Sequence, residues 1–140
     1  MIVLDTNVIS AMMRLHSEPR VEAWLEQQSF SQLYLSAPVV FEIRYGIELL
    51  PDGRRRRALE AAYSELLSSV FPGQFLDLAP GSADAAGLIH ARQTRRGRNC
   101  DVEDSLIAGI AAFHGAAIAT RNADDFEGLG LEVIDPWAAA

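Results

Sequence analysis

The sequence predicts an α/β fold, a short parallel β-sheet of about five strands with helices on both faces. Two observations carry this. Short apolar runs alternate along the chain with longer stretches whose apolar residues recur at helical spacing. Each connection between strands is long enough for a crossover, which parallel strands require. The chain has 140 residues, 49% of them apolar, enough for one domain over 1–140 with a sizeable core.

The elements follow in order. "MIVLD" (1–5) is a continuous apolar run and reads as a short buried strand. "TNVISAMMR" opens with capping residues and continues as a helix. "EPRVEAWLEQQ" is a second helix, with Pro19 near its start and Val21, Trp24 and Leu25 on one face. "LYLSA" (33–37) is a second strand that Pro38 ends. "VVFEIRYGIELL" then carries Val39, Ile43, Gly46, Ile47 and Leu50 at helical spacing, and "PDG" breaks it. "RRRRALEAAYSELLSSVF" is a long amphipathic helix ended by "PG", and "QFLDLA" a third strand. "SADAAGLIHARQTRR" is a helix opened by Ser82 and closed by Gly97. "DVEDSLIAGIAAFHG" is another, closed by Gly115. "AAIATR" is a fourth strand and "LEVID" (131–135) a fifth.

Composition narrows the chemistry. The net charge is −7, and all 12 cations are arginine. Without lysine there is no Schiff-base nucleophile and no P-loop lysine. Cys100 is the single cysteine, which excludes an internal disulfide and a cysteine-based zinc site. No apolar run approaches a membrane span, and the N-terminus lacks the build of a signal peptide, so a soluble cytoplasmic protein with no membrane partner is expected. The arginines gather in "GRRRR" (Arg54 to Arg57) and in "RQTRRGR" (Arg92, Arg95, Arg96, Arg98). Each group reads either as a solvated helix face or as a phosphate-contacting patch.

The acids fall at one edge. In a parallel sheet the functional crevice lies outside the carboxyl ends of the strands. Asp5 stands at such an end, Glu42 one turn into the helix after the second strand, Asp101 and Asp104 at the start of a helix, and Asn122, Asp124 and Asp125 just past the fourth strand. Plainer roles exist. Asp5 also suits an N-cap, Asp101 with Asp104 resembles a capping box, and Asp124, Asp125 and Glu127 suit a polar loop. Glu42, between Phe41 and Ile43, is costly to bury unless paired or bound to a cation. Several carboxylates in one crevice repel each other, and a hard divalent ion such as magnesium or manganese resolves that repulsion. Acids, such an ion and arginine patches together suggest metal-dependent hydrolysis of a phosphodiester. His16, His90 and His114 show no paired spacing and are assigned no catalytic role; Trp24 and Trp137 read as packing residues.

Four segments in this order, "LDTNVIS" (4–10), "YLSAPVVFEIRYGI" (34–47), "DVEDSLIAGIAAFHGA" (101–116) and "ATRNADDFEGLGLEVIDPW" (119–137), resemble the PIN-domain ribonucleases, specifically VapC-type toxins of the FitB-like branch. The resemblance spans essentially the whole chain. It implies a compact α/β domain with an acidic pocket for magnesium, cleavage of RNA, a homodimer, and a cognate antitoxin through which promoter DNA is reached. Position by position it matches Asp5, Glu42 and Asp104 to the family's first three acids and metal ligands. The fourth catalytic position, often aspartate, is Asn122, as in relatives of this branch. An amide brings no charge, so a second metal would bind more weakly or Asp125 would replace the carboxylate. Thr6 and Thr120 match hydroxyl residues that orient a water or a carboxylate. Arg54, Arg55, Arg95, Arg96 and Arg98 are the candidate RNA contacts.

Two other readings stay open at this stage. With Asn122 in place of an acid, the protein would be a weakly catalytic metal- and RNA-binding module acting mainly in a DNA-binding complex with its antitoxin. Phosphatases of the haloacid-dehalogenase or response-regulator kind also place aspartates at strand ends, but the absence of lysine and the "DTN" sequence argue against them.

Overall fold

The computed structural model describes residues 1–14 and 18–138. Among them, five strands form one sheet: β1 (Ile2–Leu4), β2 (Leu33–Ser36), β3 (Phe75–Leu76), β4 (Ala117–Ala119) and β5 (Val133–Ile134). Every pairing is parallel, in the order β3-β2-β1-β4-β5. Six α-helices connect them: α1 (Thr6–Met13), α2 (Pro19–Glu26), α3 (Ala37–Leu49), α4 (Arg54–Glu65), α5 (Pro80–Arg95) and α6 (Val102–His114). The order runs outward from β1 through β2 to β3, then returns to β4 beside β1. Right-handed crossovers therefore place helices on both faces, as the sequence predicts.

The central strands are buried on both sides, which is why they read as unbroken apolar runs. Val3, Leu4, Leu33, Leu35 and Ile118 are fully buried. The strands are shorter than the apolar stretches that announce them. β3 keeps only Phe75 and Leu76 of "QFLDLA", because Leu78, Ala79 and Pro80 lie at the surface and lead into α5.

Two boundaries differ from expectation for reasons of proline geometry. Pro38 does not end β2; it lies in the first turn of α3, where its missing N–H costs no helical bond. Ser82 does not open its helix. Pro80 does, and the Ser82 hydroxyl accepts a bond from the Ala79 N–H at 3.0 Å, as a capping box would. The long helix after Gly53 ends in a wider turn over Leu66–Val70, closed by Phe71 N–H to the Leu66 carbonyl at 2.9 Å. His16 lies outside the described residues.

The strand order changes direction at β1, between β2 and β4. The crevice outside the carboxyl ends of the strands at this switch is bordered by Asp5 after β1 and Thr120 after β4.

Candidate active site

Asp5 both caps and faces the crevice. Its carboxylate accepts from the Thr6 N–H at 2.7 Å, capping α1, and from the Thr120 hydroxyl at 2.7 Å. Asn7 adds a longer contact at 3.4 Å. Only 5% of Asp5 is exposed. Burial pushes its carboxyl above the usual range, the Thr120 and Thr6 bonds pull it back, and the charges of Glu42 and Asp125 push it up again.

Glu42 is half-buried on α3, and the Thr6 hydroxyl donates to it. α3 is placed by β2, and its apolar side, with Val39, Ile43 and Ile47 buried, turns Glu42 toward α1. From the other side α6 brings Glu103 and Asp104 in its first turn. Asp101 occupies the N-cap position, but its side chain makes no capping bond, so the capping-box role does not account for these acids. Burial first, then the charges of Asp5, Asp125, Asp101 and Glu42, raise Asp104 to about 7. Glu103 is raised by burial, by the charge of Glu42, and by a hydrogen bond shared with it.

The loop after β4 is held by its own backbone. The Asn122 N–H donates to the Thr120 hydroxyl at 3.0 Å, and the Arg121 N–H to Asn7 Oδ1 at 3.2 Å. The Asn122 side chain is exposed and makes no hydrogen bond among the described residues. Asp125 is exposed, yet its charge reaches both Asp5 and Asp104. The charges of Glu42 and Asp125 thus reach both Asp5 and Asp104, with Thr6 bound to Asp5 and Glu42 and Thr120 bound to Asp5. Asn122 joins through its backbone.

Sequence reasoning passed over Glu103 and Asn7. Both were in plain sight: Glu103 precedes Asp104 on the first turn of α6, and Asn7 is the third residue of "DTN".

The arginines divide. Arg98 donates to the Asp124 carbonyl at 3.0 Å, and the Arg96 guanidinium packs against Gly128, so both support the acidic loop. Arg95 and Arg54 are exposed. Arg56 is turned toward Glu48 and Asp52. Arg55 lines a cleft of about 490 Å³ with Thr6, Glu42 and apolar residues of α1, α3 and α4. His90 binds Ser105 at 2.8 Å and His114 ends α6; neither faces the acids' hydrogen bonds. Trp24 is buried in the core, while Trp137 packs and also carries Arg121 over its ring.

The donors suit a hard cation: all are carboxylate or hydroxyl oxygens. Among the described residues no arginine forms an ion pair with Asp5, Glu42, Glu103, Asp104 or Asp125. Hydrogen bonds offset part of their repulsion, no basic side chain among the described residues does, and a divalent ion would relieve the rest. As the side chains stand, no three of the described His, Cys, Asp or Glu residues close around a single point. That fits mutual repulsion and the hold of Thr6 on Glu42.

The PIN-domain family matches residues 2–130. The chain belongs to the PIN-domain family. Its relatives include proteins named as a ribonuclease and as a toxin. The VapC ribonuclease Y4jK of Sinorhizobium fredii is 34% identical over 140 residues, covering 100% of both proteins. The toxin FitB of Neisseria gonorrhoeae is 33% identical, over 98% of this chain and 99% of FitB. The solved structure of FitAB bound to an IR36 DNA fragment superposes on this PIN domain with a TM-score of 0.90 at 32% identity, over 100% of this chain and 98% of that one. This PIN domain is therefore of the VapC and FitB type, and its carboxyl-edge acids lie in the family's fold.

Proposed function

We propose that the protein is a magnesium- or manganese-dependent endoribonuclease, the toxin of a toxin–antitoxin pair, acting in the cytoplasm as a single domain over 1–140. The observation that supports this reading is that the charges of Asp5, Glu42 and Asp104 act on one another at the sheet's switch point, with no ion pair to a basic side chain among the described residues. Asp5 and Asp104 would hold the ion, with Glu42 joining once released from Thr6. When bound, the ion makes a water nucleophilic near neutral pH and polarises the phosphoryl oxygen. Thr120 and the Thr6 N–H keep the buried Asp5 carboxylate in one orientation. Without the ion, burial and the neighbouring acids raise Asp104 to about 7, and binding the ion would favour its ionised form. Asn122 would complete the site by its amide oxygen.

The partner follows from the relatives, one of which is solved as FitAB on DNA. We assign a cognate antitoxin to this chain, with promoter DNA reached through that complex. The 490 Å³ cleft, floored by Met13, Ile43, Ile47 and Leu59 and ending at Glu42 and Arg55, suits an amphipathic antitoxin segment. A homodimer would use the α3 stripe of Phe41, Tyr45 and Leu49, all more than half exposed. The "SAMMR" stretch offers less, since Ala11 and Met13 are already buried.

Purified protein incubated with single-stranded RNA tests the reading. Cleavage is expected with magnesium or manganese, none with a chelator, and at least about a hundredfold less in Asp5→Asn or Asp104→Asn. Undiminished cleavage by Asp5→Asn would overturn it. The exposed, unbonded Asn122 amide favours a second reading, a weakly catalytic metal- and RNA-binding module acting mainly in the antitoxin–DNA complex. RNA and manganese binding without cleavage would select that one.

A further inference from the structure

Arg121 stands beside the acids and has no role above. It follows Thr120, which holds Asp5, and its N–H is bonded to Asn7, which also reaches Asp5. Its side chain lines a cavity of about 270 Å³ with Asn122, Asp124, Asp125 and Asp135. Despite these acids, Arg121 forms no ion pair with them among the described residues. Its guanidinium lies over the Trp137 indole instead, 5.1 Å from the ring centre.

Trp137 is a fixed shelf. Its N–H donates to Asp135 Oδ1 at 2.9 Å, its indole N–H to Glu18 Oε2 at 3.4 Å, and its carbonyl accepts from Arg20 at 2.8 Å. A cation over a ring face is attracted by about 0.5–1 kcal/mol at an exposed site. That attraction uses none of the guanidinium's N–H donors, which stay available to an acceptor. The pair therefore presents an uncommitted positive fork in a cavity lined by Asp124, Asp125 and Asp135, and Asp125 is the acid that also acts on Asp5 and Asp104.

An RNA strand approaching that crevice needs such a group. Asp5, Glu42, Glu103, Asp104 and Asp125 repel a polyanion, and one divalent ion offsets only part of their charge. Arg96 and Arg98 are engaged with the acidic loop.

We propose that Arg121 binds a backbone phosphate of the RNA strand next to the scissile bond, and that Trp137 is the positioning residue that holds it there. The proposal rests on the ribonuclease reading. A guanidinium grips phosphate oxygens in a bidentate manner, so Lys in its place would bind as a point charge without the same geometry.

Binding of a labelled single-stranded RNA of mixed sequence, measured by anisotropy across a salt series in an Asp5→Asn background, tests it. Arg121→Gln should raise Kd about tenfold. It should also shallow the slope of log affinity against log salt by about 0.7, the loss of one phosphate contact. Trp137→Leu should weaken binding by a smaller factor, and Trp137→Phe, which keeps a ring face, should restore most of it. Manganese binding by calorimetry, measured with Asp5 intact, should be unchanged in Arg121→Gln. An unchanged salt slope with RNA still bound overturns the role of Arg121 and leaves the ribonuclease reading standing. Altered manganese affinity also overturns it, by assigning Arg121 to the metal site. If the parent binds no RNA at any salt, the ribonuclease reading fails and this proposal falls with it. If Trp137→Leu does not fold, Arg121→Gln and Trp137→Phe still decide.

Discussion

The Thr120 hydroxyl donates to Asp5 at 2.7 Å across 115 positions of sequence, joining the ends of β4 and β1 at the crevice. Both residues are buried, so the bond is made where water cannot replace it. The same hydroxyl accepts from the Asn122 N–H, so one side chain orients the first acid and the loop after β4 together.

Thr120→Val, nearly the same shape without the hydroxyl, should cost about 1–3 kcal/mol in stability, because the buried Asp5 carboxylate and the Asn122 N–H both lose their bond. The Thr120 bond also lowers the Asp5 pKa, so its loss should push that carboxyl higher and weaken manganese binding near neutral pH. Urea unfolding and calorimetry measure the two effects. Thr120→Ser should retain both; a Val variant as stable and as metal-competent as the parent would remove Thr120 from the site.

Asp104 makes the metal-free protein's stability depend on pH. Its folded pKa is raised from 3.8 to about 7. Between these values the unfolded chain gives up the proton and the folded chain keeps it. Stability is therefore greatest at the acidic end of the window, falls as pH rises through it, and levels off above about 7. The raised carboxyls of Asp5 and Glu103 act in the same direction. The melting temperature without metal should drop between about pH 5 and pH 8. Asp104→Asn should flatten that drop, and manganese should abolish it by favouring the ionised acids. At limiting magnesium the cleavage rate, in contrast, should rise with pH through about 7, because protons compete with the ion for Asp104.

Much of this was legible because it is local. β1 and β4 are unbroken apolar runs in the core, and Asp5 ends the first of them, so the crevice could be placed from strand ends alone. Glu42 stood out as an acid in an apolar helix, and its bond to Thr6 accounts for it. What stayed hidden depends on three-dimensional approach. Glu103 meets Glu42 only because α6 packs across from α3. Asn7 joins Asp5, two positions away, to Arg121, 114 positions away. Trp137 reads from the sequence as a packing residue, and nothing in "DPW" signals that Arg121 rests on its ring. Proline misled at the boundaries because it both ends strands and begins helices, and at Pro38 the second role prevails.

Asn122 tests how much charge the site needs. Its side chain is exposed and unbonded, while the charge of Asp125 already reaches Asp5 and Asp104. Asn122→Asp should add a carboxylate without disturbing the backbone bond to Thr120. The magnesium concentration for half-maximal cleavage should then fall by about three- to tenfold, with the cleaved bonds unchanged. Asp125→Asn should move it the other way. Titrating magnesium against rate for the three proteins measures this, and superimposed curves would mean that Asp5 and Asp104 hold the ion without help from this loop.

The placement of Asp104 rests on a close approach at Gly109. α6 is buried along Ile107–Ala111, and a Cβ on Gly109 would come within 2.5 Å of the Ala86 backbone nitrogen and 2.6 Å of its Cα in α5. Backbone cannot retreat as a side-chain tip can, so the two helices would have to separate. Gly109→Ala should cost about 1–3 kcal/mol despite alanine's better helix propensity. Because α6 carries Glu103 and Asp104 in its first turn, the shift should also lower manganese affinity. Ala86→Gly should rescue only in part, since the clash is with backbone as well as with the Ala86 Cβ. Gly87, next door on α5, is the control: nothing lies within 4 Å of a Cβ there. Gly87→Ala should stabilise by up to about 1 kcal/mol and leave metal binding alone. Equal effects at the two glycines, read by thermal unfolding and calorimetry, would show that helix propensity and not the α5–α6 approach governs this part of the fold.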